Sequence, residues 1–180
     1  MLIVGDSYAF WLRARCATAL PGTVVYGVRG GCVGSDTFRR EAIRRAAQHR
    51  AREAVIIAGG NDLARPDFNL RCWIAQLEEL TLGLLAAGVA QIWVLPIPPR
   101  AVLRMADVSA RRFRRRRWAV NRTLSRLFRR PPVVVLAFTF PADFLGSDGV
   151  HPSVTGWRAL AGVVRAATSS PTALPGPSSH

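Results

Sequence analysis

The chain has 180 residues, 49% of them hydrophobic and 20% charged, which is enough for one domain with its own core and too apolar for a disordered chain. Its formal net charge is +14 and all 25 basic residues are arginine; that balance permits a polyanionic partner and equally marks an arginine-biased composition. No apolar run approaches the roughly 20 residues of a membrane helix, and Met1-Leu2-Ile3-Val4 passes straight into Gly5-Asp6-Ser7 rather than through a signal-peptide pattern, so the expected location is cytoplasmic.

Residues 2–4 form a short apolar run that ends at a glycine, and 9–20 after it has the period of a helix. Residues 24–26 read as a second strand and 35–48 as a second helix, with Ser35-Asp36 as its cap. A third strand at 54–58 leads to a third helix at 70–87, which Gly88 terminates. A fourth strand at 92–95 opens onto Pro96-Ile97-Pro98-Pro99, a stiff loop whose continuation to Ser109 is a candidate rim or lid. A fourth helix at 111–129, a fifth strand at 133–138 and a last helix at 153–167, capped by Ser153, complete the order. This alternation predicts an α/β fold, a parallel sheet with helices on both faces and every strand's C-terminal end on one edge. Residues 1–168 are expected to form the single domain and 169–180, rich in Ser and Pro, a disordered tail.

Three strings fall just after a strand or in a late loop, on the edge where such a fold gathers its ligands: Gly5-Asp6-Ser7, Gly59-Gly60-Asn61-Asp62 and Asp148-Gly149-Val150-His151. A serine hydroxyl needs an adjacent base to act as a nucleophile, and His151 is the histidine in a suitable loop; His49 ends a helix among arginines and His180 ends the tail. Asp148, three residues before His151, can reach one imidazole nitrogen in a turn and leave the other to take the Ser7 proton. Acyl transfer also needs donors for an oxyanion: the Asn61 side-chain amide, a backbone N–H of Gly30 or Gly31, and that of Ser7 are candidates. Cys16, Cys32 and Cys72 are odd in number and in no CxxC pair, so neither a disulfide framework nor a metal site is expected, and no cofactor is called for.

Together the three blocks, in this order and spanning Gly5 to His151, resemble the SGNH or GDSL-type hydrolase family, whose name lists its catalytic Ser, Gly, Asn and His. The resemblance implies Ser7 as nucleophile, Asp148 and His151 as its triad partners, and Asn61 as an oxyanion donor. Gly27-Val28-Arg29-Gly30 is similar to the family's glycine segment and points to Gly30, with Gly31 and Gly34 as alternatives. The resemblance further implies a flavodoxin-like three-layer α/β/α sandwich, here with a five-stranded parallel sheet, and an esterase acting on a small acyl ester through an acyl-enzyme. Asp6 and Asp62 are expected to brace their loops. Phe138, Phe140 and Phe144 suit either an acyl pocket or core packing, with packing favoured.

The fourth helix carries a second feature. Phe113, Val120, Leu124, Leu127 and Phe128 project to one face, toward the sheet, while Arg111, Arg115, Arg122, Arg126 and Arg129 lie opposite with Trp118 near them. Such a stripe suits a phosphate backbone and an unpaired base, or it is simply a solvated face. Some SGNH-like domains, those associated with retroelements and the Oskar family, are linked to nucleic acid, and the resemblance keeps that alternative function open.

Overall fold

A computed structural model describes residues 1–103 and 108–169. Positions 104–107 of the expected rim loop, and the expected tail from residue 170 onward, lie outside the described residues.

The chain alternates as its pattern dictates: β1 (Leu2–Gly5), α1 (Ser7–Cys16) with a 3-10 turn (Ala17–Ala19), β2 (Val24–Gly27), α2 (Asp36–Gln48), β3 (Glu53–Ile57), a one-turn α3 (Gly60–Leu63), α4 (Leu70–Ala86), β4 (Gln91–Val94), α5 (Ala110–Leu127), β5 (Arg129–Arg130), β6 (Val133–Val135) and α6 (Val154–Ser169). The strands form one sheet in the order β2-β1-β3-β4-β6-β5. All pairs are parallel except the last, where Arg129 and Arg130 run antiparallel to Val134 and Val133. The sheet thus has six strands rather than the expected five. Two exposed arginines carry no apolar signal, so β5 exists only because the turn at Pro131-Pro132 folds the chain back along β6. β6 stops at Val135, three residues before the expected end, although the Leu136 N–H still donates to the Val94 carbonyl.

Both faces of the sheet are covered. Leu2, Val4, Ala54, Ile56, Ile92 and Val94 alternate onto one face beneath α2, α4 and α5. Helix α4 sets Trp73, Leu77, Leu80 and Leu84 on that face at helical spacing, each buried leucine stabilising by roughly 1.5–3 kcal/mol. Ile3, Val55, Ile57 and Trp93 point the other way, against Leu12 of α1 and Leu160 and Val164 of α6. The expected caps form: Ser35 Oγ accepts from the Phe38 N–H at 3.3 Å, Ser153 Oγ from the Gly156 N–H at 3.0 Å, and Gly88 follows α4 with φ 94°. Helix α5 departs from its projection at one end. Phe113, Val120 and Leu124 are buried, but Leu127, the helix's last residue, is 48% exposed.

From β1 the chain crosses to β2 on one side, and β3 returns on the other. The crevice beyond β1 and β3 is therefore the point where strand order reverses, and the residues just after these two strands, Asp6-Ser7 and Gly59-Gly60-Asn61, stand at its mouth. Among the described residues no helix is long and apolar enough to cross a membrane.

Candidate active site

Ser7 is the first residue of α1, held there by Asp6, whose Oδ1 accepts from the Tyr8 N–H at 2.9 Å and caps the helix. The Asp6 carboxyl is fully enclosed. Burial lifts it to about 6, against the Tyr8 N–H and the charge of Arg100, which favour the ionised form. This cap also explains why α1 begins at Ser7, two residues before the apolar period does.

His151 comes from the loop ahead of α6. Asp148 folds that loop: its Oδ1 accepts from the Val150 and His151 N–H groups at 2.9 and 2.8 Å, while its Oδ2 lies 2.6 Å from His151 Nδ1. Gly149 makes the turn possible, with φ 64° and so little room that a Cβ would lie 2.7 Å from the Val102 side chain. His151 Nε2 then lies 3.0 Å from Ser7 Oγ, across 144 residues of sequence. Burial pulls the Asp148 carboxyl up, but the hydrogen bonds from the His151 ring and the two amides outweigh it and hold the group at about 2. It stays ionised throughout the range in which an imidazole titrates.

Two residues unmarked by the sequence reading secure this geometry. Tyr8, next to Ser7 but pointing into the core, donates its hydroxyl to the Val150 carbonyl, and its ring sits 5.8 Å from that of His151. Burial pushes the phenol well above its ordinary range, so it remains a donor. One helical turn thus presents the serine outward and ties down the histidine loop inward. Tyr8→Phe leaves the Val150 carbonyl without that donor, and an unfolding titration is expected to show a loss of about 1–3 kcal/mol; an unchanged midpoint would contradict the tether. The second residue is Arg100. Its Nη2 donates to Asn61 Oδ1 at 2.9 Å, over Gly60, where a Cβ would lie 2.7 Å from the guanidinium.

Arg100 fixes which way the Asn61 amide faces. With Oδ1 taken by the guanidinium, Nδ2 donates to the Gly31 carbonyl at 3.0 Å and keeps its second hydrogen for the crevice. The three candidate glycines separate by what their amides do. The Gly31 N–H donates to the Val28 carbonyl at 2.9 Å and the Gly34 N–H to Asp62 Oδ1 at 2.8 Å. Gly30 lines the crevice, and its N–H has no partner among the described residues. Asp62 also accepts from the Val33 N–H at 3.1 Å, so both acidic residues brace loops as expected.

Ser7, Gly30, Asn61 and His151 open onto one cavity of about 840 Å³. Cys32 borders it, but burial pushes its thiol up to about 12, which keeps it from acting as a thiolate. Phe138, Phe140 and Phe144 pack on one another edge-to-face, at 4.8 and 4.9 Å between ring centres, within the core beneath α1 and α6. They do not line the cavity, so packing is their role. Among the described residues no three His, Cys, Asp or Glu side chains group as metal ligands.

The arginine stripe is on the outside. Arg111, Arg115, Arg122, Arg126 and Arg129 are exposed, and Trp118 is 63% exposed with the Arg122 guanidinium 5.0 Å from its ring centre. Their neighbours on α5 serve the fold instead: Arg116 donates to the Leu63 carbonyl at 2.8 Å and Arg117 to that of Ile97 at 2.8 Å.

The fold recurs among solved structures. A GDSL-like lipase from Bacteroides thetaiotaomicron superposes with a TM-score of 0.71 at 15% identity, covering 92% of this chain and 85% of its own. A carbohydrate esterase family 3 protein from Talaromyces cellulolyticus gives 0.65 at 18% identity, covering 93% and 94%. The lipase/acylhydrolase from Enterococcus faecalis gives 0.59 at 18% identity, covering 91% of each. No curated protein matches the sequence. The model of the GDSL-like Lipase/Acylhydrolase family matches residues 4–159, a stretch that takes in the serine block at one end and the histidine block at the other. A match of that extent means that the chain belongs to the GDSL-like lipase/acylhydrolase family and is an enzyme of the SGNH esterase type.

Proposed function

We propose that the chain hydrolyses carboxylic esters through a covalent acyl-enzyme on Ser7. The observation that carries this reading is the unbroken path from Ser7 Oγ through His151 to Asp148, with links of 3.0 and 2.6 Å. Ser7 Oγ attacks the ester carbonyl while His151 Nε2 takes its proton. Asp148, accepting from Nδ1–H, holds the imidazole in the tautomer that leaves Nε2 free and stabilises the imidazolium that follows. The negative oxygen of the tetrahedral intermediate is met by the Ser7 and Gly30 N–H groups and by Asn61 Nδ2. Collapse breaks the bond to the alcohol, which leaves with the proton from His151. A water, deprotonated by the same nitrogen, then attacks the acyl-serine; the bond from the acyl carbon to Ser7 Oγ breaks, His151 returns its proton to that oxygen, and the acid is released.

Hydrolysis of 4-nitrophenyl acetate and butyrate tests the reading: the native chain should turn both over and Ser7→Ala should not, whereas equal rates would refute it. Asn61→Ala is expected to lower kcat by about 10²- to 10³-fold with little change in KM, since the amide acts on charge that develops after binding. A change confined to KM would assign Asn61 to binding instead.

A further inference from the structure

Resting on the ester-hydrolysis reading, we infer that the substrate carries an anionic group beside its ester, a carboxylate or a phosphate, and that Arg15 and Arg29 bind it. Ser7, Trp11 and Arg15 follow one another at intervals of four on α1 and all line the cavity. At 1.5 Å per residue, the Arg15 Cα is about 12 Å along the axis from that of Ser7. Side chains on a helix lean toward its N-terminus, which for Arg15 is the direction of the serine, and both line the same cavity. Arg29, from the loop after β2, places its guanidinium 5.9 Å from the centre of the Trp11 ring and meets the same wall from the other side. The cavity therefore has a lane that leads from the nucleophile across an indole to two cations.

What these two arginines lack, among the described residues, is a carboxylate partner. Of the other cavity arginines, Arg65 is paired with Asp67 at 3.0 Å and Arg100 is held by Asn61. On α2, Arg39, Arg40, Arg44 and Arg45 all meet carboxylates, from Asp36, Glu79 or Glu41. Among the described residues no carboxylate oxygen comes within 4.0 Å of Arg15 or Arg29. Among the described residues of the cavity lining Asp148 is the one carboxylate, and its charge is already turned to His151. Among the described residues the lane is thus positive and without a compensating carboxylate, which concentrates and orients an anion. A purely aliphatic acyl chain would meet guanidinium groups there, at a desolvation cost.

The test compares esters alike in size and different in charge, at low ionic strength, each rate divided by that ester's hydroxide-catalysed rate. One arm sets mono-4-nitrophenyl glutarate against 4-nitrophenyl pentanoate, with the anion on the acyl side. The other sets 4-acetoxybenzoate against 4-acetoxybenzamide, with the anion on the alcohol side. The native chain is expected to favour the anionic ester in kcat/KM by at least about tenfold in one arm, the value of one charge-assisted hydrogen bond, and chiefly through KM. That preference should fall to within about twofold of unity in Arg15→Gln/Arg29→Gln. It should survive in Arg71→Gln/Arg130→Gln, which removes the same charge outside the cavity lining. Ratios near unity in both arms, a preference that persists without Arg15 and Arg29, or one lost equally in the control would overturn the anion site. If turnover depends on Ser7 but not on substrate charge, the anion site alone falls; if Ser7→Ala hydrolyses every ester as fast as the native chain, the ester-hydrolysis reading falls with it.

Discussion

Replacing Ser7 and His151 together is expected to slow ester hydrolysis no further than replacing either alone, each single change costing up to about 10⁶-fold in kcat, or down to the spontaneous rate of the ester. The hydroxyl has no strong nucleophilicity of its own, so without the imidazole it adds little, and without the hydroxyl the imidazole has no proton to move. The two groups form one device, joined at 3.0 Å. The folded state should hardly notice: the Ser7 hydroxyl's side-chain bond is to His151, and the loop that carries His151 is tied through the Tyr8 hydroxyl, the Asp148 carboxylate and the Gly149 carbonyl, which accepts from Ala101 and Val102. Thermal melts of Ser7→Ala, His151→Ala and the double variant therefore serve as the control. Losses that multiply would mean that the two side chains act independently.

Asp148→Asn is expected to cost about 10⁴-fold in kcat while leaving the loop folded. Both carboxylate oxygens accept, Oδ1 from two backbone amides and Oδ2 from the imidazole. An asparagine has one oxygen for these two jobs. If it faces the amides, its NH₂ donates to Nδ1 and forces the proton onto Nε2, where it blocks the serine. If it faces the ring, its NH₂ opposes two N–H donors and the turn loosens. The readouts separate these outcomes: the first lowers kcat with an unchanged melt, the second lowers both. A fall of less than tenfold would show that Asp148 merely supports the loop.

The features legible in the sequence are those for which one local signal suffices. Strands β1 and β3 are short runs of Val, Ile and Leu or Ala, and the parallel sheet follows from helices spaced between them. Gly5-Asp6-Ser7 and Asp148-Gly149-Val150-His151 place their side chains by local turns, so their distant ends meet once the strand order is set. Residues that act through long-range contacts left no such mark. Tyr8 lies just ahead of the helix expected at 9–20, and nothing near it in sequence announces an acceptor 142 residues away. Arg100 is one arginine among 25, set apart by folded-state contacts with Asn61 and the space left by Gly60. β5 is invisible for the opposite reason, since its residues have no strand propensity and pair only because the chain is folded back. Which of Gly30, Gly31 and Gly34 keeps an unengaged backbone amide is likewise a property of the folded loop.

Reaction with a fluorophosphonate, followed by peptide mass mapping, reads out the nucleophile itself. One adduct per chain is expected, on Ser7, formed rapidly by the native protein and lost in His151→Ala. An adduct on any other residue, or an unlabelled protein that still hydrolyses esters, would contradict it.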